Sequence, residues 1–173
     1  GPGHGSPLAV YAFLALALRL LSAGTLVVQA PEPGTGPEAA AGEPLLLELG
    51  TERREFYVGE IFSVRALVLV ELGFREAHLV PLFRQDLELP VQLELPFAAG
   101  LDCAAGLPVP TAPAAGPRLV LGERVVAALP LGLVERGERV FEAHAVELPM
   151  RALCPGSLTL SGAGLRYARA SSF

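Results

Sequence analysis

The sequence predicts an all-β protein built as an antiparallel β-sandwich or barrel of seven to nine short strands. After residue 44, apolar residues alternate with period two in most segments, as they do in strands that bury one face. Turn residues separate these segments at intervals of about 8–12 residues. Gly and Pro, 19 and 16 of 173 residues, interrupt the chain too often for long helices to dominate.

The first 30 residues contain a long apolar segment. Leu8 to Leu18 is an unbroken run of eleven apolar residues, and after Arg19 the chain is again mostly apolar as far as Ala30. This run has the length of a signal-peptide core, about 7–15 residues. Val28 and Ala30 are small enough for the two positions that a signal peptidase reads. We expect residues 1–30 to be a helical signal peptide or membrane anchor, with an ordinary buried helix as the alternative.

Two further regions follow the apolar segment. Residues 31–44 are rich in Pro, Gly and Ala and have no bulky side chain to bury, so we expect a flexible linker. Residues 45–173 carry the alternating pattern and form the expected folded domain. The chain starts without Met and stops within an apparent strand, so we expect it to be a fragment whose C-terminus is truncated.

The longest predicted strand runs from Ile61 to Leu72. One of its faces is wholly apolar and should line the core: Phe62, Val64, Ala66, Val68 and Val70. Gly59 lies between two apolar segments, so we predict a turn with positive φ there. The other predicted strands are 45–49, 55–58, 85–97 in one or two pieces, 118–121, 123–131, 138–148, 157–160 and 165–168.

The chain is poorly supplied with reactive side chains. It has three His, two Cys and no Lys. A net charge of −5 disfavours a nucleic-acid-binding protein, and a phosphate-binding P-loop needs a Lys. His78 and His144 are single and well separated, and no metal-ligand spacing is present. The sequence therefore predicts no catalytic residue, cofactor, metal site or small-molecule substrate.

The two cysteines, Cys103 and Cys154, are 51 positions apart. In an exported protein such a pair forms a disulfide. Two free thiols, or a reactive or lipidated cysteine, are the alternatives. A catalytic pair of Cys103 with His144 lacks any oxyanion-hole signature in the sequence.

Two stretches resemble the BatD, or oxygen-tolerance, family of bacterial envelope proteins. Tyr57-Val-Gly-Glu60 before a long apolar strand resembles the opening of that family's immunoglobulin-like modules. The stretch from Met150 to Ala168 resembles the passage into its second β domain. The resemblance covers residues 45–173 and implies an immunoglobulin-like sandwich, export, and anchoring in the inner membrane. It also implies envelope partners such as von Willebrand A-domain proteins, and no catalytic residues.

We therefore expect a non-enzymatic module for protein interaction or assembly in the periplasm or cell envelope. An envelope thiol enzyme or redox protein using Cys103 or Cys154, and a surface adhesion module, are the alternatives. Because Pro90 and Pro96 cannot donate backbone hydrogen bonds, we predict that the 85–97 segment is an edge strand. Two interpretations of this segment remain open: its leucine face only packs into the core, or the edge also receives a partner's strand through Leu89, Val91, Gln92 and Leu93.

Overall fold

The computed structural model describes residues 24–30, 42–81, 87–109 and 116–170, which form an all-β fold. Thirteen strands occur in the described residues, more than the seven to nine expected, because several are only two to four residues long. The strands are β1 (Thr25–Gln29), β2 (Leu45–Thr51), β3 (Glu55–Tyr57), β4 (Ile61–Glu71), β5 (Leu79–Val80), β6 (Val91–Glu94), β7 (Ala104–Gly106), β8 (Arg118–Leu121), β9 (Arg124–Ala127), β10 (Leu129–Arg136), β11 (Arg139–Ala152), β12 (Gly156–Thr159) and β13 (Gly164–Arg169). A one-turn helix, α1 (Phe74–His78), follows β4, and a 3₁₀ turn (Pro96–Ala99) follows β6.

The strands form three sheets. One has the order β12–β1–β3, and a second has the order β10–β11–β4–β2, with β7 paired to the end of β11. The third has the order β5–β13–β6–β8–β9. Most neighbouring strands are antiparallel, as predicted, but β1 with β12 and β6 with β8 run parallel.

The two longest strands, β4 and β11, lie side by side in the second sheet. They pair without interruption from Phe141 opposite Glu71 to Arg151 opposite Ile61. Side chains alternate across a strand, so the even-numbered residues of both strands share one face. The predicted core face of β4, the even-numbered residues from 62 to 70, is buried as expected.

One hydrophobic core joins the three sheets. It includes Leu26 of β1, Val64 of β4, Leu93 of β6 and Leu158 of β12. A second, smaller cluster lies on the opposite face of the β10–β11–β4–β2 sheet and contains Leu69, Phe141 and Ala143. Above it, the Arg139 guanidinium lies 5.0 Å from the centre of the Phe141 ring and pairs with Glu71 at 2.6 Å.

The domain begins earlier than the sequence pattern predicts. Strand β1 falls inside the range expected to be a signal peptide or anchor, yet it is the middle strand of its sheet. Leu26 and Val28 are almost wholly buried in the common core. The folded part therefore includes Gly24 and does not start at residue 45. The rest of the expected leader, residues 1–23, lies outside the described residues.

The predicted linker, 31–44, connects two strands of the domain. Before it, the Gln29 carbonyl accepts a hydrogen bond from Leu160 N, and at its end the Pro44 carbonyl accepts one from Glu71 N. It therefore does not separate the leader from the domain, although residues 31–41 lie outside the described part. Within the described ranges, no helix has the length and apolar character needed to cross a bilayer.

Candidate functional site

Strand β10 lies at the edge of the second sheet and exposes large apolar side chains. Leu129, Leu131 and Leu133 are 59%, 47% and 62% exposed. Of the described strands, only β11 pairs with β10. The backbone on the outer side of β10 can therefore pair with another strand, and leucines flank it.

The backbone of β10 is irregular in its first half. Pro130 has no N–H to donate, and the register with β11 shifts between Pro130 and Gly132. Gly132 has a φ of 91°, which a residue with a side chain rarely adopts. From Leu133 to Arg136 the pairing with β11 is regular again. This second half, which begins with the most exposed leucine, is the part best able to accept another strand.

The predicted edge strand is not an edge. Strand β6 pairs with β13 on one side and with β8 on the other. Pro90 and Pro96 flank this four-residue strand, so neither removes a donor from its ladder. The interpretation that the leucine face packs into the core is confirmed, because Leu89, Val91 and Leu93 are fully buried. Gln92 does not face a partner either: its Nε2 donates a hydrogen bond to the Gly122 carbonyl at 2.9 Å.

The bounds of the strands distinguish the true edge from the predicted one. Pro130 is inside its strand, where a missing donor matters, whereas Pro90 and Pro96 are outside theirs. The segment from Leu129 to Val134 also lacks charged residues, so its alternation cannot indicate which side faces solvent. The sequence pattern assigns the start of this segment to the end of a strand at 123–131, but β9 and β10 belong to different sheets.

The structure joins Cys103 and Cys154 in a disulfide, the first of the three alternatives for this pair. The bond ties the turn before β7 to the end of β11. His144 is eight residues before Ala152, the last residue of β11, which corresponds to about 26 Å along a strand. The pairing of Cys103 with His144 that thiol catalysis would require is therefore not formed.

His144 lies on the core-facing side of β11, opposite Val68, and is only 5% exposed. Its Nε2 lies 3.8 Å from Glu142 Oε2, which is 3.5 Å from Nη1 of Arg75 on α1. Neither ring nitrogen hydrogen-bonds to any residue that the structure describes. Burial lowers the pKa of His144; the Glu142 carboxylate raises it, and Arg75 lowers it further. Burial thus favours the neutral form of the imidazole, and the side chain is buried because even-numbered residues of β11 face the core.

A shallow groove of about 210 Å³ lies on the other face of the sheet, along β2 and β4. At its floor, Glu147 accepts hydrogen bonds from Ser63 Oγ and Arg65 Nε, both at 2.6 Å. Burial raises the pKa of Glu147, but the two hydrogen bonds outweigh it, so this pKa lies below its usual value. The Glu147 carboxylate and the Arg65 guanidinium therefore already pair with each other. In the described part of the chain, no three His, Cys, Asp or Glu residues converge as a metal site requires.

The comparisons with known proteins add no assignment. No protein-family model, curated protein or solved structure matches the chain.

Proposed function

We propose that this chain is a non-enzymatic module of the bacterial cell envelope that binds other envelope proteins. The observation that carries this proposal is the edge strand β10, with its exposed leucines and its one described neighbour. Monomeric proteins usually protect such an edge with charges or a covering segment. In β10 the charged residues Glu135 and Arg136 are confined to one end of the strand. Leu129, Leu131 and Leu133 do the opposite of protecting the edge, because they add apolar surface beside backbone that no other described strand covers.

The proposed mode of binding is strand addition. An extended segment of the partner would pair with β10 from Leu133 to Arg136, where the strand is regular. Main-chain hydrogen bonds would supply affinity, and Leu133 would select an apolar residue of the partner's strand. Pro130 and the irregularity at Leu131 would stop the pairing at that end, so the partner's register would be defined.

The immunoglobulin-like, BatD-like assignment of the module belongs to the same proposal. Two large, mostly antiparallel sheets share one core, as in β-sandwiches. The resemblance of Tyr57 to Glu60 and of the stretch from Met150 to Ala168 adds support from the sequence. By that resemblance, a von Willebrand A-domain protein is the first partner to test.

The proposed location is outside the cytoplasm, next to the inner membrane. A disulfide between Cys103 and Cys154 favours an oxidising compartment. The apolar run from Leu8 to Leu18 has the composition of a signal peptide or anchor. Both features fit a module that is tethered to the membrane and assembles with envelope proteins.

The test is site-specific cross-linking in living cells of the source organism. A photo-reactive residue replaces Leu133 on β10 or, as the control, Leu72 after β4, which is similarly exposed. We expect Leu133 to cross-link to an envelope protein and Leu72 to give no such product.

The identified partner is then purified and its Kd for the parent chain and for Leu133→Arg is measured. Because a central apolar contact contributes about 2 kcal/mol, we expect the Kd to rise at least about tenfold. An unchanged Kd would refute binding through β10. A cross-link from Leu133 only to a second copy of the chain would make the edge a self-association surface and would also contradict the proposal.

A further inference from the structure

Gly24 is the point at which residues 1–23 join the domain, and its position is tightly defined. Its carbonyl accepts a hydrogen bond from Val58 N at 3.1 Å. On its other side lies Pro155, and a β-carbon at residue 24 would collide with the Pro155 ring. The preceding chain therefore joins the domain between the β3–β4 turn and the segment that follows Cys154.

Exposed apolar side chains lie on the segments at this end of the domain. We call them the entry patch: Tyr57, Val58, Ile61, Leu101 and Leu153. Backbone hydrogen bonds hold the segments of the patch together at one end of the domain. Gly59 N donates to the Ala152 carbonyl at 2.8 Å, and Leu153 N donates to the Cys103 carbonyl at 2.9 Å. The disulfide between Cys103 and Cys154 also links two segments at this end of the domain.

The charges beside the entry patch indicate what kind of surface would suit it. Arg151, opposite Ile61 in the β4–β11 pair, and Asp102, next to Cys103, are both exposed and of opposite sign. Next to Tyr57 and Ile61, Glu60 pairs with Arg53, and the exposed Arg54 and Glu55 are also of opposite sign. This end therefore has no strong excess of one charge to attract a strongly charged partner. Tyr57 adds a ring with a polar tip, the type of side chain that is common where protein meets the lipid headgroups.

We propose that the entry patch rests on the surface of a lipid bilayer into which the apolar segment before Gly24 inserts. This inference rests on the membrane tether in the proposed function. The apolar run from Leu8 to Leu18 ends only six residues before Gly24. The predicted linker, 31–44, follows β1 and therefore does not lengthen this connection. Only a few residues would therefore connect the domain to the membrane-inserted segment. At the high effective concentration that a short tether provides, even a modest apolar patch stays docked.

This orientation leaves the partner-binding edge accessible. Strand β4 would point away from the membrane, with Ile61 at the bilayer and Leu72 about 35 Å from it along the strand. Strand β10 pairs with the part of β11 from Arg139 to Ala145, which is remote from the Ala152 end that carries the patch. A partner could therefore pair with β10 while the module lies on the membrane.

The test uses tryptophan fluorescence, since the chain has no Trp. Ile61→Trp and Leu72→Trp each place one reporter at a side chain that is 54% exposed, at opposite ends of β4. The full-length chain is reconstituted into phosphatidylcholine vesicles, with or without bromine on the acyl chains near the headgroup. We expect the brominated lipid to cause a loss of emission from the Ile61→Trp reporter and to leave the Leu72→Trp reporter unchanged.

Flotation of the same vesicles tests the membrane tether separately from the docked orientation. If the chain floats with the vesicles but both reporters respond equally, or neither does, the docked orientation is wrong while the tether stands. If the chain does not float, the tether and the docking inference both fall. Binding through β10 is measured with purified proteins in the absence of lipid, so it is decided separately.

A second variant tests the patch itself. Val58→Ser with Leu153→Ser removes two exposed apolar side chains without touching the core. In the Ile61→Trp background, we expect this pair to abolish the loss of emission while flotation persists. Leu129→Ser with Leu133→Ser, which removes two leucines of similar exposure from β10, should leave the loss of emission intact. Equal effects of the two pairs would overturn the inference.

Discussion

The imidazole of His144 lies 3.8 Å from the carboxylate of Glu142 on the core-facing side of β11, and neither ring nitrogen hydrogen-bonds to a residue in the described part of the chain. Burial lowers the pKa of His144, and the partial compensation by Glu142 is opposed by Arg75. The folded state therefore binds a proton at this site less readily than the unfolded state does.

This difference predicts how stability varies with pH. A free His has a pKa of about 6.5, so below that pH the unfolded chain takes up a proton that folded His144 resists. The contribution of His144 to the free energy of unfolding is full above about pH 7, falls as the pH drops towards the lowered pKa, and levels off below it. His144→Leu removes this contribution. Urea unfolding between pH 8 and 5 should give a flatter profile for the variant than for the parent, and parallel profiles would contradict the prediction.

Gly59 and Gly50 offer a matched test of backbone strain. At either position, an added β-carbon would meet no heavy atom of the described residues within 4 Å, but Gly59 has a φ of 88° and Gly50 has no positive φ. Gly59→Ala should therefore lower the free energy of unfolding by about 1–2 kcal/mol. Gly50→Ala, inside β2, should leave it unchanged or raise it by up to about 1 kcal/mol. Chemical denaturation measures both, and equal effects would mean that the turn at Gly59 does not require a glycine.

The disulfide should contribute substantially to stability. It closes a loop of 51 residues, for which loop entropy predicts about 4 kcal/mol. We expect the parent to lose roughly this amount when a reductant is added to a urea titration. Cys103→Ser with Cys154→Ser should have the reduced stability from the start and should not respond to the reductant. A reductant-sensitive double variant would show that the effect has another origin.

Strand β1 should behave as part of the core and not as a removable leader. Leu26 is fully buried, so Leu26→Ala should cost about 2–5 kcal/mol of unfolding free energy. Gln29, at the exposed end of the same strand, serves as the control, and Gln29→Ala should change stability by less than about 0.5 kcal/mol. For the same reason, a signal peptidase cut after Ala30 would remove the middle strand of a sheet. N-terminal sequencing of the exported protein should therefore never find residue 31 at the start.

The sequence by itself determined the all-β class and the inner face of β4. Phe62 to Val70 alternate so regularly that only a strand can bury all five apolar residues on one side. It also determined the turn at Gly59, because a glycine between two apolar segments is a local signal. These features depend on residues that are close together in the chain, so the sequence alone is enough to predict them.

Only the tertiary structure decided which strands lie at edges, where the domain begins and which side of β11 holds His144. Leu26 and Val28 would be apolar in a leader and in a buried strand alike, since a membrane and a protein core both select apolar side chains. Pro90 and Pro130 carry the same chemical restriction, but its consequence depends on whether a neighbouring strand needs the missing N–H. That neighbour is β8 or β13 for β6 and β11 for β10, tens of residues away in the chain in most cases. Pairing between such distant segments is set by the packing of the common core, and the local pattern does not record it.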